Sequence, residues 1–107
     1  MIAQDRKTNS LNTNYLQNSM KLNAIRDFLA VVERGGLRAA ARQLHGSQPA
    51  ISRSIQELEK ELGVVLLDRR PGGATLTPMG NVFHRRASAV QNELRLAQEE
   101  LEDRKSV

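Results

Sequence analysis

The sequence has no cysteine and no tryptophan, and its aromatic residues are only Tyr15, Phe28 and Phe83. Without cysteine there is no disulfide framework and no thiolate-held metal, which fits a reducing compartment; a cytoplasmic location is expected. His45 and His84 lie far apart and lack ligand spacing, so no metal site is expected. So few aromatics leave no stacking platform for single-stranded nucleic acid. No apolar run approaches the ~20 residues of a membrane span. The polar N-terminus lacks the apolar stretch of a signal peptide, and no membrane partner is expected. Also missing are a nucleophile elbow, a phosphate-binding glycine loop and paired carboxylates in a cleft. Ser52 and His84, the one conceivable nucleophile and base, thus stand without the rest of a catalytic site, and neither enzyme activity nor a cofactor is expected.

What is present fits one small domain with an extension: 107 residues, 39% hydrophobic, formal charge +4. The charge is segregated. From Arg34 to Gln56 the chain carries Arg34, Arg38, Arg42 and Arg53 and no acid; from Arg69 to Asn92 it carries Arg69, Arg70, Arg85 and Arg86, again without one. Acids gather at Glu57, Glu59 and Glu61 and from Glu93 to Asp103. Segregation of this kind describes either a positive face for a polyanion or chance in a short chain, and charge alone does not choose.

Residues 1–19, rich in Asn, Gln, Ser and Thr, read as a disordered extension, with Met20 a candidate natural start. Leu22, Ile25, Phe28, Leu29 and Val32 then follow helical spacing up to Gly35-Gly36, a left-handed stop. A second short helix turns Leu37, Ala40, Ala41 and Leu44 inward. After a His45-Gly46 turn, Ser47 is the expected N-cap of a third helix, with Pro49 tolerated in its first turn and Gly63 ending it. The runs Val64–Leu67 and Thr75–Thr77, joined by Arg69-Arg70-Pro71-Gly72-Gly73, predict a β-hairpin with a basic tip. Thr77-Pro78 predicts an N-cap with proline at the first helical position.

The helix that follows carries Phe83, Ala87, Val90, Leu94, Ala97 and Leu101 at alternating steps of four and three, the seam of a coiled coil. That seam can pack along its own domain or on the same helix of a second chain. Three short helices and a hairpin are too small to cover it, so dimerisation is favoured, weakened by the small Ala87 and Ala97. The fold predicted is mainly α, a winged helix-turn-helix of three helices and a two-stranded wing over 20–77, then a linker or dimerisation helix over 78–107.

The third helix has two unlike faces. Ile51, Ile55, Leu58 and Leu62 form a buried stripe, whereas Gln48, Ser52, Arg53 and Gln56 hydrogen-bond well and build no core. In a helix entering the major groove N-terminus first, Ser47, Gln48, Pro49, Ser52 and Arg53 would meet base edges and phosphates. Gln suits adenine, Arg suits guanine, and the ring of Pro49 suits a thymine methyl. A pure dimerisation module would explain 78–103 but leave this polar face without a purpose.

The chain resembles the N-terminal DNA-binding domain and linker helix of the LysR-type transcriptional regulators. The resemblance covers about residues 20–103 and is strongest over LHGSQPAISRSIQEL, Leu44 to Leu58, with Glu59 and Leu62-Gly63 following. FLAVVERGGLRAAARQL matches the first two helices, and LLDRRPGGATLTPMG the wing and the start of the linker. It implies sequence-specific binding of double-stranded DNA, with an interrupted inverted repeat as operator, by a homodimer joined through antiparallel linker helices. By position it gives Gln48, Pro49, Ser52 and Arg53 to the major groove, and the wing around Arg69 and Arg70 to the adjacent minor groove or backbone. It further implies that this chain corresponds to the first third of a regulator whose two-lobed effector domain, the route for a small-molecule inducer, is absent here. Gly36 stands where the family usually caps the second helix with serine. Arg38 stands where Ser or Thr is common, so a phosphate contact there would pass from hydroxyl to guanidinium. Gly46 replaces an apolar turn residue and Leu67 the common phenylalanine of the wing.

Arg69 has a second reading, as a structural residue pairing with an acid at the wing's base while Arg70 points to DNA. His84, Arg85 and Arg86, early in the linker helix, either touch phosphate or solvate its outer face, and solvation is favoured; His45 is read as a turn residue rather than a pH switch.

Overall fold

The computed structural model describes residues 21–105. The extension read at 1–19 and Tyr15 lie outside them. Helix α1 (Leu22–Arg34) is followed by α2 (Leu37–Leu44), α3 (Gln48–Leu62), an antiparallel hairpin of β1 (Leu67–Arg70) and β2 (Gly73–Leu76), and α4 (Pro78–Lys105). The fold is mainly α, a winged helix-turn-helix with a long C-terminal helix.

Local chemistry sets these boundaries. Gly35, at φ 84°, takes the left-handed conformation that ends α1, and its amide donates to Val31 at 2.8 Å. His45 does the same for α2 at φ 57°, a conformation only a minority of non-glycine residues adopt. Ser47 caps α3, its Oγ accepting from the Ala50 amide at 3.2 Å. Thr77 caps α4, Oγ1 accepting from the Gly80 amide at 2.9 Å while its proton goes to the carbonyl of Val65. Gly36 precedes α2 without a side-chain cap. A Cβ built at Gly46 would meet Ile51 Cδ1 at an ordinary 4.0 Å, so the turn has room for a side chain that this sequence leaves out.

Phe28, Val31, Ala40, Ile55, Leu58 and Leu66 are the centre of the core, contributed by α1, α2, α3 and the segment leading into β1. Burying each of the Phe, Val, Ile and Leu side chains among them stabilises by roughly 1.5–3 kcal/mol. The start of α4 closes the same core: Ala87 is 3% exposed, and the Phe83 ring meets Phe28 edge-on with centroids 5.6 Å apart. His84 also lies edge-on to Phe28, at 6.3 Å, and its Nε2 is 3.4 Å from Ser88 Oγ. It is half-buried on the core side, while Arg85 and Arg86 are exposed.

Two differences from the sequence reading follow. The first strand begins later and the second earlier than the apolar runs at 64–67 and 75–77 predict, so Arg69 and Arg70 are strand residues rather than tip residues. The turn is Pro71-Gly72, with Gly72 at φ 91°. Of the run Val64–Leu67 only Leu67 pairs, opposite Leu76; Leu66 and Leu67 enter the core, while Val65 is exposed. The heptad stripe is also divided. Ala87, assigned to a seam between chains, is enclosed by its own domain, and Phe83 is half-buried beside it. Val90, Leu94, Ala97 and Leu101, beyond the reach of the small core, stay exposed.

Candidate nucleic-acid interface

The first turn of α3 stands clear of the domain. Ser47, Gln48, Pro49 and Ala50 are all exposed, because the buried stripe of this helix begins only at Ile51. One and two turns on, Arg53 and Gln56 are exposed and Ser52 is half-buried. Among the described residues, Gln48, Arg53 and Gln56 have no hydrogen-bond or ion-pair partner within the chain. A helix end with its amide dipoles directed outward and unengaged amide and guanidinium groups behind it suits a polyanion whose bases must also be reached.

Beside this end lies a cleft of about 580 Å³ between α2, the α1–α2 turn and the wing. Arg34, Arg38, Arg42, Arg69, Arg70 and Gln48 line it, together with glycines and small apolar residues, and no acid does. Arg38 and Arg42 are one turn apart on the exposed side of α2, and neither has a partner among the described residues. Arg34 donates to Gln43 Oε1 at 2.6 Å. Arg42 and Arg34 escaped the residue-by-residue reading because no motif marks them; the acid-free window that contains both was the available signal.

The cleft's far wall is fixed by backbone. The Gly35 carbonyl, turned outward by the left-handed cap, accepts from the Ala74 amide at 3.1 Å. A Cβ at Gly73 would come within 3.2 Å of that carbonyl, so the missing side chain permits the approach. At its other end the hairpin is tied to α4 by the Thr77 amide, which donates to the Leu66 carbonyl at 3.0 Å.

The two wing arginines behave differently. Arg70 is exposed and donates to Asp68 Oδ2 at 2.9 Å, on the same side of the strand. Arg69 points the other way, back to α3. Its Nη1 donates to Ser52 Oγ at 2.7 Å, and its Nη2 lies 3.8 Å from Glu59 Oε1. The other oxygen of Glu59 accepts from the amides of Leu66 and Leu67 at 2.8 and 3.2 Å. Glu59 therefore joins helix, connection and wing, a role its place in an acidic run concealed.

Of the residues assigned to a second chain, Val90, Leu94 and Leu101 are 46%, 48% and 60% exposed, enough to be available to a partner. Val90 and Leu94 form a shallow groove with Leu22, Asn23, Ile25 and Arg26 at the start of α1. Among the described residues no group of His, Asp and Glu has the arrangement of a metal site, and no helix is long and apolar enough to cross a membrane.

Comparison with known proteins bears on this arrangement directly. The sequence profile of the bacterial regulatory helix-turn-helix proteins, lysR family, matches residues 22–81. The HTH-type transcriptional regulator ClcR of Pseudomonas putida is 52% identical over 64 residues, which are 60% of this chain and 22% of ClcR. This chain thus spans about a fifth of that relative's length. Among solved structures, the BenM DNA-binding domain in complex with catB site 1 DNA superposes with a TM-score of 0.76 at 35% identity, over 82% of this chain and 99% of that one. The CbnR DNA-binding domain, also solved with DNA, gives 0.68 at 40% identity, covering 81% and 97%.

Proposed function

The chain belongs to the lysR family of bacterial regulatory helix-turn-helix proteins, and from that membership we propose that it binds double-stranded DNA in a sequence-specific manner as a transcriptional regulator. The observation that carries the reading is the exposed first turn of α3, with Gln48 and Arg53 unengaged beside an acid-free cleft. In this proposal α3 enters the major groove, where Gln48, Pro49, Ser52, Arg53 and Gln56 meet bases or phosphates, and Ser47 sits at the helix end closest to the backbone. Arg38 and Arg42 hold the phosphates beside it, and Arg70 carries the wing to the adjacent minor groove or backbone. BenM and CbnR domains of the same shape are solved with DNA, which supports this geometry.

Residues 20–77 would be the reading unit and α4 the dimer linker. The exposed line of Val90, Leu94 and Leu101 supports a homodimer formed by this helix. Two symmetric recognition helices meet half-sites about one helical turn apart, or a multiple of it, so the operator is an interrupted inverted repeat. Such a regulator acts in the cytoplasm. The test is selection from a pool of randomised duplex DNA by the purified chain at physiological salt. Enrichment of an inverted repeat supports the reading, and retention of duplex without enrichment reduces it to backbone binding. Failure to retain duplex makes α4 the functional part and the chain a dimerisation module.

A further inference from the structure

Ser52 is engaged by the protein from one side only. Arg69 Nη1 donates to its Oγ at 2.7 Å, and a guanidinium has protons to give and no lone pair with which to accept. The polarity of this hydrogen bond is therefore settled: the serine oxygen accepts. Its own proton remains, and among the described residues the Ser52 side chain has no second hydrogen bond; the usual sink for a mid-helix serine hydroxyl, the carbonyl one turn back at Gln48, does not take it. Arg69 is in turn held from behind. Its Nη2 is buried with no hydrogen-bond partner and lies 3.8 Å from Glu59 Oε1, while that carboxylate is fixed by the Leu66 and Leu67 amides.

We propose that Arg69 is a positioning residue that gives Ser52 a fixed polarity toward DNA, so that position 52 recognises a hydrogen-bond acceptor. An unconstrained serine hydroxyl donates or accepts equally well and tolerates either kind of base edge. Here one lone pair is occupied, and the adjacent positive charge makes the O–H a better donor and the remaining lone pair a poorer acceptor. The acceptor is an oxygen of a phosphate or the N7 of a purine. This inference rests on the DNA-binding reading above and adds to it the sense of one contact. Arg69 acts through Ser52 and does not itself touch DNA.

The experiment is a double-mutant cycle on the full chain with Ser52→Ala, Arg69→Met and the pair, using as probe the duplex that the wild type enriches from a randomised pool. Each single variant is expected to bind about 10-fold more weakly, as loss of a charge-assisted contact does. The double variant is expected to fall within about 2-fold of the Arg69→Met variant, because both changes remove one coupled device. Losses that multiply to about 100-fold, or a Ser52→Ala variant that binds like the wild type, overturn the proposal. If Arg69→Met does not fold, Arg69→Lys takes its place in the cycle. As a shorter donor-only cation it should preserve the Ser52→Ala penalty, and loss of that penalty in a folded lysine variant counts against the proposal. Single methylphosphonate and 7-deazapurine substitutions in the probe then separate the two sources. One position should weaken the wild type and leave Ser52→Ala indifferent, in the backbone for a phosphate and in a base for N7; its absence from both series overturns the inference. A wild type that enriches no duplex overturns the DNA-binding reading and this proposal together, whereas enrichment with multiplicative losses overturns this proposal alone.

Discussion

Gly80 and Leu66 touch through backbone alone: a Cβ built at position 80 would overlap the Leu66 carbonyl oxygen and lie 3.0 Å from its carbon. Because the obstacle is main chain, no rotamer relieves it. Gly80→Ala must push α4 off the segment that enters the wing, which is destabilising by ~3 kcal/mol as overpacking of a filled site. Urea denaturation should show a lower midpoint at unchanged slope. A wild-type midpoint would mean that α4 can shift without disturbing the core.

Ser47 separates stability from binding. Ser47→Ala removes the cap on the Ala50 amide and should cost about 1 kcal/mol in denaturation. Ser47→Asp keeps an equally good cap, so its stability should stay near that of the wild type, yet it places a carboxylate at the helix end proposed to meet phosphate. Its affinity for duplex should fall below that of Ser47→Ala. Equal affinities would remove position 47 from the interface.

Arg53 is exposed and unpaired among the described residues. Arg53→Ala should lower operator affinity by ~1–3 kcal/mol and relax the preference at one position in each half-site, as loss of a bidentate base contact does. Selection repeated with the variant reads this. Uniform weakening across all sequences would reassign Arg53 to the backbone.

Arg38 and Arg42 should appear in the salt dependence. Each phosphate neutralised contributes about −0.9 to the slope of log K against log salt, so Arg38→Gln and Arg42→Gln should each flatten the slope by ~1. Sequence preference should not change. An unchanged slope in both variants would leave the cleft outside the contact.

The divided stripe of α4 makes opposite predictions for its two parts. Leu94→Lys changes a residue 48% exposed, so the domain should stay folded while sedimentation shows monomer. Ala87→Leu fills a site 3% exposed and should lower the melting temperature, with a cost of ~1–3 kcal/mol. A stable Leu94→Lys dimer would remove the exposed part of the stripe from the proposed interface.

Helix limits were legible in the sequence because each depends on a few adjacent residues: Gly35 past the end of α1, Ser47 before α3, Thr77-Pro78 before α4. The wing was less so. Leu66 and Leu67 are adjacent and both buried, a pattern with no alternation to reveal the pairing register, so the sequence alone places Arg69 and Arg70 in the turn. Their opposite roles follow from the pleat, which turns neighbours to opposite faces, and that distinction needs the true strand limits. Periodicity likewise placed Phe83, Ala87 and Val90 on one face of α4, but a period carries no information about what covers a face. The polar face of α3 was visible at once, since polar residues alternating with a buried stripe leave few other uses.

Between Gly80 and Lys105 no glycine or proline interrupts α4, whose first turns belong to the core that holds α3. An unbroken helix fixes phase as well as distance, since each residue adds about 1.5 Å and ~100° of rotation. A single residue inserted after Val90 would leave the packing of Phe83 and Ala87 in the core in place, yet turn Leu94 and Leu101 by more than a quarter-circle away from the line they share with Val90. The angular setting of the recognition helix relative to anything docked on that line is thus written in the residue count of one helix.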